Sequence, residues 1–440
     1  MKITEPFFDT SFFHHFPNKI HLGLSELHYE KKVFGDYTRN YEGKYTFYSY
    51  ILQTKTTINL LYNARPKSIQ EKGAIAHHSH LCILESTDGL NFHRPKLNNT
   101  PTTDDQSGTN NVIIKGLVAD NFPILMDENK MLNGWSYVSI FRNIKNNKHI
   151  VEIIGSNNYT KWDNKSQILF DMNDDRILKG FKWRNYFDTL STIIYNPYTK
   201  LYSFYTRYNK APKIRHVQFS TSTNLLNWSK FQEINIIGYP TYNIYVPTFS
   251  LYPDSPYYIG FPPIFANEGD YTSFYTTIMF SKDGLNWNTH NTLKLDNSLI
   301  RNIPSHCYAT GIAIYNDKFY VYVMHIRKCE IHCYSVPKHR FFYITNDCVD
   351  NISLTSKSLK LINKDIHLNF KTYHQGYIII ELLNKHDKSI IDRSEKLSGD
   401  HLNHKLKWSI GTSIIMGNEY HINIIMYDKS YIYSISYEIE

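Results

Sequence analysis

Apolar and aromatic residues fall in short runs along this chain, set apart by Asn, Asp, Gly, Pro and Lys. After residue 34 the runs come in groups. The first reads YTFYSYIL, TINLLYNA, HLCILE, NFHRP; the second FPILMDEN, WSYVSIFRN, HIVEIIG, YTKW. The third reads LSTIIYNP, LYSFYTRY, IRHVQFS, LNW; the fourth YVPTFSLYP, YYIGFPPIF, YTTIMFS, LNW. The fifth is YATGIAIYND, FYVYVMHI, EIHCYSV, RFFYITN. No stretch carries the 3.6-residue period of an amphipathic helix. Five groups of about four short strands predict a five-bladed β-propeller over residues 35–348. Residues 1–34 read as an irregular leader packed on it. From residue 349 the pattern changes to period two, in KDIHLNFKTY, GYIIIELLN, EYHINIIMY and SYIYSISYEIE. That alternation predicts antiparallel strands with one buried face, hence a β-sandwich over 349–440. The fold class expected is therefore all-β, a five-bladed propeller followed by a sandwich.

One turn recurs between the third and fourth runs. A Ser is followed by turn-forming residues and, six positions on, by an aromatic ring. It reads STDGLNF from Ser86, SNNYTKW from Ser156, STNLLNW from Ser222 and SKDGLNW from Ser281, with starts 70, 66 and 59 residues apart. Self-similarity at such a period belongs to propellers and arrays. Asp-Gly and Asn supply the positive-φ positions that a tight turn needs. The ring then re-enters the sheet and can pack on the neighbouring unit.

Composition agrees with strands and narrows the chemistry. The chain has 440 residues, 36 of them Tyr and 25 Phe, which suit half-buried pleated surfaces. Its length suits more than one domain. Net charge is +8, spread without a long Lys/Arg run, so no nucleic-acid footprint is read from it, while attraction to anionic glycans or surfaces stays open. MKITEPFFDTSFFHHF is not a signal peptide, and no apolar run nears the roughly 20 residues of a membrane helix. The expectation is a soluble cytoplasmic protein with no membrane partner. The sequence gives no signal for oligomeric state. Five cysteines (82, 307, 329, 333, 348) form no zinc pattern, since CEIHC has no second pair. His77, His78 and His80 alternate across a strand, so no shared metal is expected. No metal or cofactor is assigned.

The runs ESTDGLNFHRPKL, NFPILMDEN, YFDTLSTIIYNPYTKLYSFYTR, HVQFSTSTNLLNWSKFQEI, YNIYVPTFSLYPDSPYYIGFPPIF and FSKDGLNW are similar, in order and spacing, to bacterial proteins related to the N-terminal propeller of family 32 glycoside hydrolases. DIHLNFKTYHQGYIIIELLNKHDKSI and SYIYSISYEIE resemble the sandwich appended in that group. The resemblance spans about residues 5 to 438. It implies a propeller like those of invertases, arabinanases and levansucrases, with a carbohydrate as ligand. The Asp-Pro, Arg-Asp-Pro and Glu-Cys strands of the family 32 hydrolases proper are absent here. Fold alone does not fix activity.

In such a propeller the innermost strand of every blade surrounds one funnel. The residues at those strand starts would be Glu42, Asp120, Asp188, Tyr245 and Tyr308, spaced 78, 68, 57 and 63 apart. Three carboxyl groups would serve a glycosidase as acid, as nucleophile or base, and as a sugar ligand. Asp188, Glu42 and Asp120 are the catalytic candidates, with Asp188 foremost. Arg207, Tyr242, Asn243, Tyr245, His306 and Tyr308 are the candidates for substrate binding. Three readings follow: a glycan-active enzyme, a carbohydrate-binding propeller without the acid–base set, and a structural protein.

Overall fold

The computed structural model describes residues 1–36, 39–43, 48–67, 79–97, 110–162, 164–171, 173–180, 187–212, 214–237, 243–265, 274–292, 306–325, 328–346 and 351–439. Among these the named helical element is a 3-10 turn, Leu117–Asn121, and Lys67 is a single helical residue; the strands make up the rest of the regular structure. No helix there is long and apolar enough to cross a membrane.

Five sheets follow one another. The first runs Ser49–Gln53, Ile58–Ala64, His80–Ser86, Val112–Lys115. The second runs Leu125–Met126, Tyr137–Lys145, Lys148–Ser156, Gln167–Asp171, and the third Thr192–Asn196, Leu201–Ala211, Ile214–Ser222, Gln232–Glu233. The fourth is built on Phe249–Leu251, Tyr258–Gly260, Phe274–Ser281 and Asn286–Thr292, with Asn235–Ile237 added parallel at its edge. The fifth holds His306–Tyr308, Lys318–His325, Glu330–Pro337 and, at its outer edge, His28–Phe34.

Successive sheets touch, and the fifth touches the first. Tyr50 of the first donates to Phe122 O at 2.8 Å, entering the second. Asn121 Nδ2 donates to Phe187 O at 2.6 Å, entering the third. Tyr205 of the third donates to Gly284 O beside the fourth, at 2.9 Å. Ile259 and Ile278 of the fourth share a core with Phe319 and Val321 of the fifth. Gln53 of the first exchanges two bonds of 2.8 Å with Ile314 of the fifth. Tyr322 of the fifth donates to Gly89 O of the first at 2.9 Å. A cavity of about 480 Å³ has walls from all five: Tyr50 and Leu52, Leu125 and Met126, Thr192 and Ile194, Phe249 and Leu251, then Thr310 and Gly311. This is an all-β propeller fold.

The repeated turn has one local cause. In each copy the Ser Oγ accepts a backbone N–H and an Asx side chain three residues into the motif caps the turn. Ser281 Oγ accepts from Gly284 N at 2.8 Å, and Asp283 Oδ1 accepts from Leu285 and Asn286 N at 2.9 and 2.7 Å. Ser222 and Asn224, and Ser156 and Asn158, repeat it. The fourth residue takes positive φ in three copies, at Gly89 (73°), Leu225 (67°) and Gly284 (80°). Glycine is needed at 284 for space as well, since a Cβ there would lie 2.6 Å from the Tyr205 hydroxyl. Each indole bonds back to this residue: Trp162 Nε1 to Tyr159 O, Trp228 to Leu225 O, Trp287 to Gly284 O. Phe92 packs on Tyr322 of the fifth sheet and Trp287 on Tyr205 of the third.

Four readings from the sequence are corrected. In the first sheet the fourth strand is Val112–Lys115; His93 of NFHRP makes only an isolated bridge to Glu85. In the second it is Gln167–Asp171, because YTKW is spent on the turn. RFFYITN leaves the fifth sheet: Phe342–Asn346 pairs with Ile20–Leu24 and Ser430–Glu438. Its place is filled by His28–Phe34, which pairs with Glu330–Pro337. Residues 1–34 are thus not irregular but carry three strands, and Lys2–Glu5 pairs with Ser430–Glu438.

The remaining strands form two sheets over one core. Leu368, Phe370, Ile432 and Ile435 of one face Ile380, Leu382, Ile422 and Ile424 of the other, with Phe7, Phe12 and Phe13 inserted. Trp287 is fully buried and stacks on Phe249 at 4.0 Å. Trp287→Ala is expected to cost about 3–5 kcal/mol, read by chemical denaturation. Deletion of residues 1–34 is expected to abolish the cooperative transition, because it strips strands from two sheets.

Candidate active site

Asp120 and Asp188 stand at the entries to the second and third sheets. Asp120 is in the 3-10 turn Leu117–Asn121, and the next residue fixes its position. Asn121 Nδ2 donates to Phe187 O at 2.6 Å and Asn121 Oδ1 accepts from Ser191 N at 3.0 Å. One side chain thereby ties the Asp120 turn to both ends of the Asp188 segment. Phe187 is buried and has a φ of 54°. A bulky residue in that region costs on the order of 1–3 kcal/mol. It is held there by its N–H to Arg207 O at 3.1 Å as well as by Asn121. The strain sits directly before Asp188.

Two guanidiniums converge on Asp188. Arg142 Nη1 donates to Oδ1 at 3.0 Å and Arg207 Nη2 to Oδ2 at 2.5 Å. The Asp188 side chain is 43% exposed, whereas those of Arg142 and Arg207 are 13% and 5% exposed. The arginines are thus wall and the carboxylate is surface. Arg142 also donates to His149 Nδ1 at 3.2 Å from Nε. Burial, and then the Arg142 charge, push His149 below the ordinary imidazole value. Asp120 is bonded by Asn63 Nδ2 at 3.0 Å. Burial lifts its carboxyl above the ordinary value against the pull of Asn63 and Arg65, and the nearby Asp188 carboxylate adds to the rise. An acid so placed can hold a proton beside a second carboxylate, the arrangement that separates proton donor from base.

The holding residues occupy equivalent places. The turn serines pair in register with Ile58, Tyr137 and Tyr202. Five residues further along those strands stand Asn63, Arg142 and Arg207. Asn63 of the first sheet braces Asp120 ahead of the second, and Arg142 of the second braces Asp188 ahead of the third. The fourth sheet adds Tyr245, whose ring lies 5.2 Å from the Arg207 guanidinium and 5.7 Å from that of Arg215. Its hydroxyl is 3.4 Å from that of Tyr48. Asn243 Oδ1 accepts from Arg215 N at 3.0 Å.

Of the residues singled out in the sequence, Asp120, Asp188, Arg207, Asn243 and Tyr245 come together. Tyr242 lies outside the described residues. His306 and Tyr308 are on the strand His306–Tyr308, paired with Lys318–His325, and their side chains are outside what is described. Glu42 goes elsewhere. It is fully buried, bonded by the Tyr62 hydroxyl and gripped by Arg94 through Nε at 2.9 Å and Nη2 at 2.7 Å. Tyr62 and Asn63 are consecutive on one strand and so project from opposite faces. Tyr62 holds Glu42 and Asn63 holds Asp120, so the first sheet stands between the two acids. The expected union of Glu42 with Asp188 is corrected for that reason.

The sequence reading passed over Arg142, Asn63, Arg65, Arg215 and Tyr48. The first was within reach: with strands aligned on the turn serine, SIFRN and FYTRY place Arg142 and Arg207 in one column. Among the described residues no group of three His, Cys, Asp or Glu could hold a metal ion.

Solved structures with a similar chain trace include glycoside hydrolases. A glycosyl hydrolase from Bacteroides ovatus has 14% identity and a TM-score of 0.45, over 75% of this chain and 98% of its own. A fructofuranosidase from Schwanniomyces occidentalis has 10% identity and a TM-score of 0.41, over 92% and 96%. A member of family 130, described as containing glycoside hydrolases that target β-1,2-mannosidic linkages, has 14% identity and a TM-score of 0.42, over 74% and 96%. No protein-family model matches the chain, nor does any curated protein.

Glu42→Ala leaves the buried side of Arg94 unpaired and is expected to cost on the order of 3 kcal/mol in denaturation. The environment of Asp188, followed by NMR of its carboxyl carbon, is expected to stay unchanged in that variant.

Proposed function

We propose that the five sheets are the five blades of the propeller in residues 35–348, closed by the strand from residues 1–34 and followed by a β-sandwich in 349–440. We infer that the mouth bearing Asp120 and Asp188 is a carbohydrate site where a glycosyl unit is hydrolysed or transferred. The observation that carries this is the pair itself. Asp120 is a half-buried acid with a raised proton affinity, acted on by a second, exposed carboxylate at the next sheet. Asp120 protonates the leaving glycosidic oxygen, and Asp188 faces the sugar as base or nucleophile. Arg207, Tyr245 and Asn243 line the same mouth and orient the sugar. Tyr242, His306 and Tyr308 remain assigned to binding by their positions in the chain. Glu42 belongs to the frame of the first sheet and takes no catalytic part.

One observation favours a second reading, a carbohydrate-binding propeller without turnover. Both Asp188 oxygens already accept from guanidiniums, which lowers their availability as nucleophile or base. A screen of oligosaccharides with wild type, Asp120→Asn and Asp188→Asn separates the two. The enzyme reading expects product release that falls about a hundredfold or more in each variant, with binding kept. Binding by all three with no product from any would establish the second reading.

A further inference from the structure

The cavity walled by the five sheets has no part in the reading above. It follows the first strands of the sheets away from the two acids. Its wall begins at Pro123 and Leu190, three and two residues after Asp120 and Asp188, and ends at Glu128, Asn129 and Pro197. Its volume of about 480 Å³ falls in the range of small-molecule sites. Ile51, Leu125, Met126 and Leu251 are only half-buried although they line the centre of the ring, so hydrocarbon side chains face the hollow.

Five polar side chains of the wall are committed to the frame. The Tyr50 hydroxyl donates to Phe122 O at 2.8 Å, and Gln53 exchanges its two bonds with Ile314. Ser191 Oγ donates to Thr206 Oγ1 at 3.0 Å, Thr192 Oγ1 to Pro247 O, and Asn129 Nδ2 to the Tyr202 hydroxyl at 3.3 Å. Glu128, the one charged residue of the wall among those described, is exposed. An ion or a sugar in the hollow would give up water for a surface with few free polar groups, which is unfavourable. A hydrocarbon body would remove its own surface and that of the wall from water together, which is favourable.

We propose that this central hollow is a binding site for an uncharged small molecule with a hydrocarbon body. The body lies against Ile51, Leu125 and Leu251, and its polar end is directed to the exposed rim at Glu128 and Asn129. The site is separate from the chemistry of the mouth.

The test follows the methionine ε-methyl groups of the full chain by NMR while 1-butanol, 1-hexanol and 1-octanol are added in turn, with octanoate as a charged arm. Met126 lies in the wall, and Met416, 70% exposed, reports non-specific contact. The expected result is a saturable shift at Met126 that Met416 does not follow. Binding is expected to tighten by about fourfold for each CH₂ added, and octanoate to bind at least about tenfold more weakly than 1-octanol. Leu251→Trp, which fills the hollow, is expected to weaken 1-octanol binding by about tenfold or more. Should that variant fail to fold, the wild-type series still decides. No saturable response at Met126, a response shared by Met416, or equal binding of octanoate would each overturn the inference. None of these would touch the reading of the mouth, which rests on Asp120 and Asp188 and not on the hollow.

Discussion

A sheet with two apolar faces cannot stand alone, and ring closure is the constraint on which this structure depends. Ile58–Ala64 is buried along its whole length, so both faces of the first sheet need cover. One cover comes from the second sheet. The other comes from the fifth, through the shared core of Leu60, Tyr62, Tyr320 and Tyr322. The chain meets this demand by borrowing His28–Phe34 from its beginning as the outer strand of the fifth sheet. First and last parts of the ring are thereby joined by backbone hydrogen bonds as well as by packing. Earlier in the same segment Phe7 enters the core of the C-terminal sheets, and Phe8 packs on Phe280 of the fourth sheet and on Phe342.

Closure fixes where the polar residues ahead of each inner strand must go. Asp120 and Asp188 come within electrostatic reach of each other because consecutive sheets are neighbours, and Asn121 ties their segments together. Each acid is held by a residue from an equivalent strand position, so the repeat that builds the ring also builds the site. The arrangement costs something: Phe187 stays at positive φ, and a buried Arg207 and a half-buried Arg142 hold one exposed carboxylate. Backbone strain and desolvated charge around one carboxylate are features that functional sites often share.

Much of this was legible in the sequence, for physical reasons. Strand runs and Asx-Gly turns are local signals, and the Ser-Asx-aromatic motif is wholly local: its Ser, Asx and indole all bond within the turn. Asp120, Asp188 and Tyr245 can be singled out because blade spacing is a property of chain order, and Arg207 because it ends the run LYSFYTR. What depended on distant partners was not legible. RFFYITN reads as one more strand of the fifth group, yet the N-terminal strand takes that edge and Phe342–Asn346 crosses to another sheet. Glu42 sits at the right spacing, but a one-residue alternation on the neighbouring strand decides which face it meets. The face was set by Tyr62 and Arg94, and neither is near it in sequence. Arg142 lies on the second strand of its sheet, with the other braces, and not at the strand start that blade spacing marks.

The central claim is that Asp120 and Asp188 share one electrostatic site. The most direct measurement is a pH titration of the Asp120 carboxyl carbon by NMR, in wild type and in Asp188→Asn. The account predicts an Asp120 value above the ordinary carboxyl range in wild type. Removing the Asp188 charge is predicted to lower it, since a neighbouring negative charge favours the protonated form. An ordinary Asp120 value that does not respond to Asp188→Asn would contradict the shared site and the division of roles built on it.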